Sequence, residues 1–284
     1  MFSETRRSAL KRLLDDESPR VREAVLHELR ESSEEGVGFL QEIAREPGSG
    51  IGRHARSLLA ELGADDPAGD FRSFIRSFRY ELEIGCFLLE RTVRPELEWT
   101  TAARFLDGVA ARCSEFLDPA ATVFEQCKQI NLVFFHEYRF RGDLDHFHDP
   151  ENNFLSSVIA RRRGIPISLS VLYLLVAQRC GVPLEPIGAP GRFLLANLDD
   201  RNPFYLDPFD RGRFRTEEEV RQMLLTRNIE DGAEYLLPSP VGEVLCRFCR
   251  NLVHQYTIRN ELHQARLFAG FIREFEDVYE REAS

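Results

Sequence analysis

The fold is decided by Gly164-Ile165-Pro166-Ile167-Ser168-Leu169-Ser170-Val171-Leu172-Tyr173-Leu174-Leu175-Val176-Ala177-Gln178-Arg179-Cys180-Gly181. A proline stands near its start and a glycine at its end, which are the positions these residues favour in a helix. Its side chains are apolar in almost every direction, and a helix that is hydrophobic all round must be buried. Its apolar run is shorter than the roughly 20 residues that span a bilayer. We therefore predict the central helix of a globular domain, with Ser168 in its first turn.

The composition is that of an ordinary water-soluble protein. The chain has 284 residues, of which 43% are hydrophobic and 30% charged, and its net charge is −10. This acidic balance argues against a nucleic-acid or anionic-membrane partner, which a basic patch would attract. The N-terminus has no apolar signal core, and six cysteines are scattered through apolar segments. We expect a cytoplasmic protein with reduced cysteines and no cofactor.

Helical patterns occupy both ends of the chain. Residues 1–66 are predicted to form stacked helix pairs, and Pro19-Arg20-Val21-Arg22 resembles the start of a HEAT-type repeat helix. We expect turns at 15–19 and 46–50, and a linker at 63–70. At the other end, residues 238–284 are predicted to form a helical hairpin similar to a single tetratricopeptide repeat.

Between these ends the pattern mixes helices with short strands. Helices are predicted at 71–91, 99–117 and 119–136, which form a helical subdomain over 70–136. A core over 137–237 completes a domain that spans 70–237. Extended runs at 188–198 and 204–209 flank a turn, and they indicate an antiparallel hairpin packed on the buried helix. Asn152-Asn153 is predicted to cap a short helix, and Thr216 is predicted to cap a helix that ends near 225.

Two groups of residues have the chemistry of metal ligands. His146 and His148 stand beside Asp145 on a polar loop, where they could bind a transition metal, although no third ligand follows at a fixed spacing. Cys246-Arg247-Phe248-Cys249 has the spacing of half a zinc site, but no second pair completes it. We expect no metal site, with both cysteines packed in a helix and the histidines in a solvated loop.

Five ordered motifs carry a family resemblance. They are Asp149-Pro150-Glu151-Asn152-Asn153-Phe154-Leu155, Arg162-Arg163-Gly164-Ile165-Pro166-Ile167-Ser168-Leu169-Ser170, Cys180-Gly181-Val182-Pro183, Pro190-Gly191-Arg192-Phe193-Leu194 and Asp207-Pro208-Phe209. Together they resemble a bacterial subfamily of the transglutaminase-like superfamily that carries a C-terminal tetratricopeptide-type region. The resemblance implies a predominantly helical α+β fold, with a papain-like core and a small antiparallel sheet.

The resemblance also implies a catalytic triad, which this chain lacks. Active superfamily members use a cysteine at the helix start, a histidine on the first strand and an aspartate on the second. The corresponding positions here are Ser168, Arg192 and Asp207, with the first uncertain between Pro166 and Ser168. Cys180 stands at the far end of the helix, roughly 18 Å away at 1.5 Å per residue, and cannot replace the nucleophile.

Arg192 decides the functional interpretation. An arginine stays protonated and cannot act as a general base. We expect it to form an ion pair with Asp207, and we predict a non-catalytic protein that binds a protein partner. The alternatives are a weak acyl transferase or hydrolase that uses Ser168 or Ser170, and a metal-assisted hydrolase that uses His146 and His148. A further alternative is that Arg192 holds an anionic ligand beside the helix N-terminus.

Overall fold

The computed structural model describes residues 2–14, 16, 18–44, 50–63, 65–199, 203–229 and 232–282. The chain divides into two compact units, one formed by 1–73 with 88–103 and the other by 74–87 with 104–284. The boundaries drawn from the sequence at 66–70 and 237–238 differ from this division and remain predictions. Among the described residues, no helix is both long and apolar enough to cross a membrane.

The first unit contains four N-terminal helices. They are α1 (Glu4–Leu14), α2 (Pro19–Glu31), α3 (Ser33–Ala44) and α4 (Gly50–Glu61). Their buried faces meet in one apolar core that includes Leu14, Leu29, Leu40 and Leu58. The predicted turn at 46–50 lies outside the described residues except for Gly50, and residues 15 and 17 of the turn predicted at 15–19 also lie outside them.

The helix predicted over 71–91 is in fact two helices, so that prediction was wrong. α5 (Pro67–Arg76) ends before Phe78, which has a positive φ of 56°, and α6 (Leu82–Arg91) follows. The Tyr80 hydroxyl donates to the carbonyl of Ile75 at 2.8 Å, so a side chain satisfies a carbonyl that a longer helix would have used.

The linker predicted at 63–70 is also shorter than expected, because Asp66 accepts from the N–H of Gly69 and α5 begins at Pro67.

Helices α7 (Trp99–Ser114) and α8 (Val123–Asn131) lie close to their predicted positions. A π-helical turn (Leu132–Glu137) extends α8, and the two-residue strands β1 (Arg141–Gly142) and β2 (Arg163–Gly164) pair in parallel. The cap predicted at Asn152-Asn153 is absent, because these residues belong to a 3₁₀ turn (Pro150–Asn153). Asp149 caps that turn, and α9 (Leu155–Arg161) begins after it.

The central helix is confirmed as α10 (Pro166–Arg179), and every side chain from Pro166 to Ala177 is buried. Pro166 occupies its first position, and Gly181 follows its end with a φ of +71°. The helix packs against an antiparallel sheet in the order β3-β4-β5-β6. The strands are β3 (Glu185–Ile187), β4 (Leu194–Asn197), β5 (Phe204–Asp207) and β6 (Arg213–Arg215). The predicted hairpin is therefore confirmed as β4–β5, although the sheet has two further strands.

Three helices complete the second unit. α11 (Glu217–Leu225) begins at Thr216, which forms the predicted cap with Glu219. After a 3₁₀ turn (Ala233–Leu236), the long helices α12 (Val241–Ile258) and α13 (Leu262–Glu282) form the predicted hairpin. The fold is thus mostly helical with small sheets.

Leu172→Ala should strongly destabilise the protein, because Leu172 is fully buried in α10 and its truncation leaves a cavity. The expected loss is about 2–5 kcal/mol in the free energy of unfolding. Leu144→Ala is the matched control, since Leu144 is 77% exposed and should change stability by about 0.5 kcal/mol or less. Urea unfolding followed by circular dichroism measures both, and equal effects would contradict the buried position of α10.

Candidate functional site

The two serines of α10 are buried, and backbone groups occupy both hydroxyls. Ser168 accepts from the N–H of Ile165 and donates to the carbonyl of the same residue, both at 3.1 Å. Ser170 donates to the carbonyl of Phe193 at 2.9 Å. Ser168 thus closes the first turn of its own helix, whereas Ser170 ties the helix to the residue that follows Arg192. Within the described part of the chain, neither serine bonds to a histidine.

Asp207 is the last residue of β5 and is completely buried. Its Oδ1 accepts from the N–H of Asp210 at 3.2 Å, so the side chain caps the 3₁₀ turn (Pro208–Asp210). Its Oδ2 lies 3.6 Å from Nη1 of Arg192. The structure therefore brings together the two residues at the expected histidine and aspartate positions, as the ion-pair hypothesis requires.

A second arginine, which the sequence did not point to, is the closer partner of Asp207. Arg215 on β6 donates to Asp207 Oδ2 from Nη2 at 3.2 Å and to Asp210 from the same atom at 2.9 Å. Its side chain is only 10% exposed, whereas that of Arg192 is 31% exposed. The register of β5 with β6 causes this contact, because Asp207 pairs with Arg213 and Tyr205 pairs with Arg215. The sequence pattern did not indicate β6, so this strand register could not be predicted from it.

Arg192 itself lies in a turn just before β4 and not on the strand. Its N–H donates to the carbonyl of Ala189, and Gly191 adopts a positive φ of +69°. Arg247 on α12 holds this turn, because its Nη2 donates to the carbonyls of Ala189 at 2.7 Å and Arg192 at 3.0 Å. Burial lowers the pKa of Arg247 from its usual value, because removal from water disfavours the charged form.

The proposed metal ligands do not converge. Asp145 forms an ion pair with Arg163 at 3.7 Å, and exposed His146 lies 3.8 Å from Asp143. His148 instead packs its ring 5.7 Å from the ring of His254. The described residues contain no group of three or more histidine, cysteine or acidic side chains that could hold a metal ion.

The cysteines are free thiols, and most of them are buried. Burial raises the pKa of Cys127 to about 12 and that of Cys246 to about 11, and it raises the pKa of Cys249 well above its usual value. Cys180 differs, because a hydrogen bond with the Cys113 thiol lowers its pKa. The same bond, together with burial, raises the pKa of Cys113. Since Cys180 follows the C-terminal end of α10, this more acidic thiol stands at the wrong end of the helix for the triad.

Arg215→Gln should destabilise the protein far more than Arg192→Gln, because it removes the buried, hydrogen-bonded partner of Asp207. Losing one partner of such a buried pair costs about 3–5 kcal/mol. The longer and more exposed Arg192 contact should cost about 1 kcal/mol or less. Arg213→Gln is the surface control. Thermal and urea unfolding rank the three variants, and an equal loss at Arg192 and Arg215 would contradict this assignment of roles.

Cys180 should be alkylated before the other four thiols described above, because only the thiolate reacts and only its pKa is lowered among them. Brief treatment of the folded protein with iodoacetamide at mildly alkaline pH, followed by peptide mass spectrometry, gives the order of modification. Cys180→Ser should abolish this fast reaction. Faster labelling of Cys127 or Cys246 would show that the thiol environments are different from those described.

Comparison with known proteins gives several related sequences. A UPF0162 protein of Xylella fastidiosa (strain 9a5c) is 35% identical over 142 residues, which are 48% of this chain and 50% of the relative. A UPF0162 protein of Pseudomonas aeruginosa is 32% identical over 163 residues, 56% of this chain and 59% of the relative. F-box only protein 21 of Mus musculus is 38% identical over 103 residues, 34% of this chain and 16% of that protein.

The matched stretch thus spans about half the length of these bacterial relatives. No solved structure matches the chain. Residues 100–250, slightly more than half of the chain, match the family described as the transglutaminase-like superfamily. This stretch contains α10, the four-stranded sheet and the Arg192–Asp207 pair. The chain belongs to the transglutaminase-like superfamily.

Proposed function

We propose that this protein is a non-catalytic transglutaminase-like module that binds another protein. The observation that carries the proposal is the Arg192–Asp207 contact at the position of the expected catalytic pair. A general base must accept a proton near neutral pH, which a guanidinium cannot do. At this position Asp207 therefore faces a guanidinium that keeps its proton, and it has no imidazole to orient.

The state of the serines supports the same proposal. A serine needs a neighbouring base before it can attack an acyl carbon. The hydroxyls of Ser168 and Ser170 instead donate to backbone carbonyls, and both side chains are completely buried. A substrate would have to displace these hydrogen bonds and reach atoms that solvent does not touch.

The surrounding helices support the binding part of the proposal. We assign HEAT-like character to the helices of 1–66 and tetratricopeptide-like character to the α12–α13 hairpin, since both repeat classes form binding surfaces. The similarity to F-box only protein 21 covers 16% of that protein, so the related stretch there is a small part of a longer chain. The six free thiols are consistent with a cytoplasmic location.

The catalytic part of the proposal predicts that a fluorophosphonate serine probe leaves the folded protein unlabelled. The probe also should not distinguish the native chain from Ser168→Ala or Ser170→Ala, because neither serine has a base to activate it. In-gel fluorescence and intact-protein mass spectrometry measure the labelling. Labelling that disappears in either variant would establish an active serine and overturn the proposal.

The binding part is tested with the same unmodified chain. Affinity purification from its own host should yield a partner that, after separate purification, forms a complex of defined stoichiometry with this chain in gel filtration. A chain that forms no such complex with any co-purified protein would contradict the binding role, whatever the result with the probe.

A further inference from the structure

Arg192 has hydrogen-bonding capacity that the fold does not use. Its guanidinium lies 3.6 Å from Asp207 Oδ2 and makes no hydrogen bond to any residue in the described part of the chain. The side chain is 31% exposed, so the group faces solvent on one side. An arginine presents five N–H donors in a fixed fork, and this shape matches the two oxygens of a carboxylate.

Asp207 does not need these donors. Arg215 donates to its Oδ2, and the N–H of Asp210 donates to its Oδ1. A buried carboxylate with an arginine and a backbone donor already has its charge balanced and both oxygens bonded. The Arg192 contact is longer than these bonds, and it leaves the outer edge of the guanidinium available.

The local charge balance is positive although the whole chain is negative. Arg192, Arg213 and Arg215 face Asp207 and Asp210, so three guanidinium groups meet two carboxylates. One positive charge in this cluster therefore exceeds the negative charges that the cluster supplies. Arg192 and Arg213 are the two members whose contacts exceed hydrogen-bond length, at 3.6 and 3.8 Å. Arg192 faces a carboxylate that Arg215 and a backbone N–H already bond, so we assign the excess charge to its exposed edge.

An aromatic pair lies beside the same arginine. The guanidinium of Arg192 lies 5.8 Å from the ring centre of Phe209, and the Phe209 ring is 6.0 Å from that of Phe147. Phe209 is partly exposed and Phe147 is 37% exposed. Aromatic residues and arginine are the residue types enriched in the centres of protein interfaces.

The turn that carries Arg192 is held in place by three neighbouring side chains. Arg247 bonds to two of its carbonyls, and Ser170 bonds to the carbonyl of the next residue, Phe193. Arg227 lies against Gly191, where a Cβ atom would be 2.0 Å from its guanidinium. A binding group on such a held turn loses little conformational freedom when a ligand arrives.

We propose that Arg192, Phe209 and Phe147 form a binding site for an acidic peptide segment of a partner protein. A glutamate or aspartate of the peptide accepts from the Arg192 guanidinium, and an apolar side chain close to it in the peptide packs on Phe209 and Phe147. The charge excess selects the carboxylate, and the exposed apolar residues select a peptide over a free small acid. This proposal rests on the proposed binding function and names the chemistry of the partner.

The test is selection of short random peptides displayed on phage against the immobilised, unmodified chain. We expect the selected peptides to share an acidic residue close to a leucine or an aromatic residue. Each is then synthesised in two forms, with the acidic residue or with its amide, and its affinity is measured by fluorescence polarisation. The carboxylate form should bind about tenfold or more tightly than the amide form, because charge-assisted hydrogen bonds are stronger.

Three variants locate the peptide on the surface. Arg192→Gln should weaken binding by about tenfold or more and remove the preference for the carboxylate. Phe147→Ala should weaken both peptide forms alike, since it removes only apolar contact. Arg221→Gln is the matched control, because it removes one positive charge outside this cluster, at a side chain that is 42% exposed and pairs with Glu217, and it should leave affinity within about twofold.

Several outcomes would overturn the proposal. They are a selection that yields no binding peptide, peptides without a shared acidic residue, unchanged binding by Arg192→Gln, and an equal loss with Arg221→Gln. Displacement of every peptide by acetate would show a site for small free acids instead. In each case a reconstituted complex with a natural partner would leave the proposed function standing, with its contact elsewhere.

Discussion

The burial of α10 from Pro166 to Ala177 is the constraint on which the second unit depends. Every side chain from Pro166 to Ala177 is buried, so each polar group on this stretch must find its partner inside the protein. Ser170 bonds to the carbonyl of Phe193, and Tyr173 bonds to that of Cys127 at 3.0 Å. A shift of the sheet or of α8 relative to α10 would leave a buried hydroxyl unsatisfied, at a cost of about 1–3 kcal/mol. These few bonds therefore specify positions that apolar packing alone would leave adjustable.

The same constraint explains the state of the triad positions. A helix start that is sealed on all sides offers a nucleophile no access, and Ser168 satisfies its hydroxyl within its own turn. On the sheet, a buried aspartate requires a positive charge or a set of donors to remain stable. Arg215 and the N–H of Asp210 supply them. The Asp207 carboxylate is thus stabilised by two donors, and neither of them can act as a general base.

Sequence patterns predicted the parts of the fold that depend on neighbouring residues. The glycines and the proline around α10, the turn between β4 and β5, and the Thr216 cap are all local signals, and the structure confirms the helix, the hairpin and the cap that they predict. The prediction of a single helix over 71–91 was wrong: α5 ends at Arg76, and the Tyr80 hydroxyl, which lies beyond that end, satisfies the carbonyl of Ile75. In the site, Arg192 and Asp207 could be named from the motifs. Arg215 and Arg247 could not, because their contacts arise from strand register and from a helix distant in sequence.

The two arginines beside Asp207 have different roles: Arg215 balances the buried carboxylate, and Arg192 presents a partly exposed positive charge. A guanidinium that balances a buried carboxylate must be largely shielded from water and hydrogen-bonded to that carboxylate, as Arg215 is, which leaves it poorly placed to bind a ligand as well. Arg192 keeps the longer contact and the exposed edge, so its charge is oriented by Asp207 without being neutralised by it. A histidine placed at 192 would meet an aspartate whose two oxygens are already bonded, and the hydroxyls of Ser168 and Ser170 would still donate to carbonyls. The non-catalytic function that we propose therefore depends on several residues of this site, and not on the arginine alone.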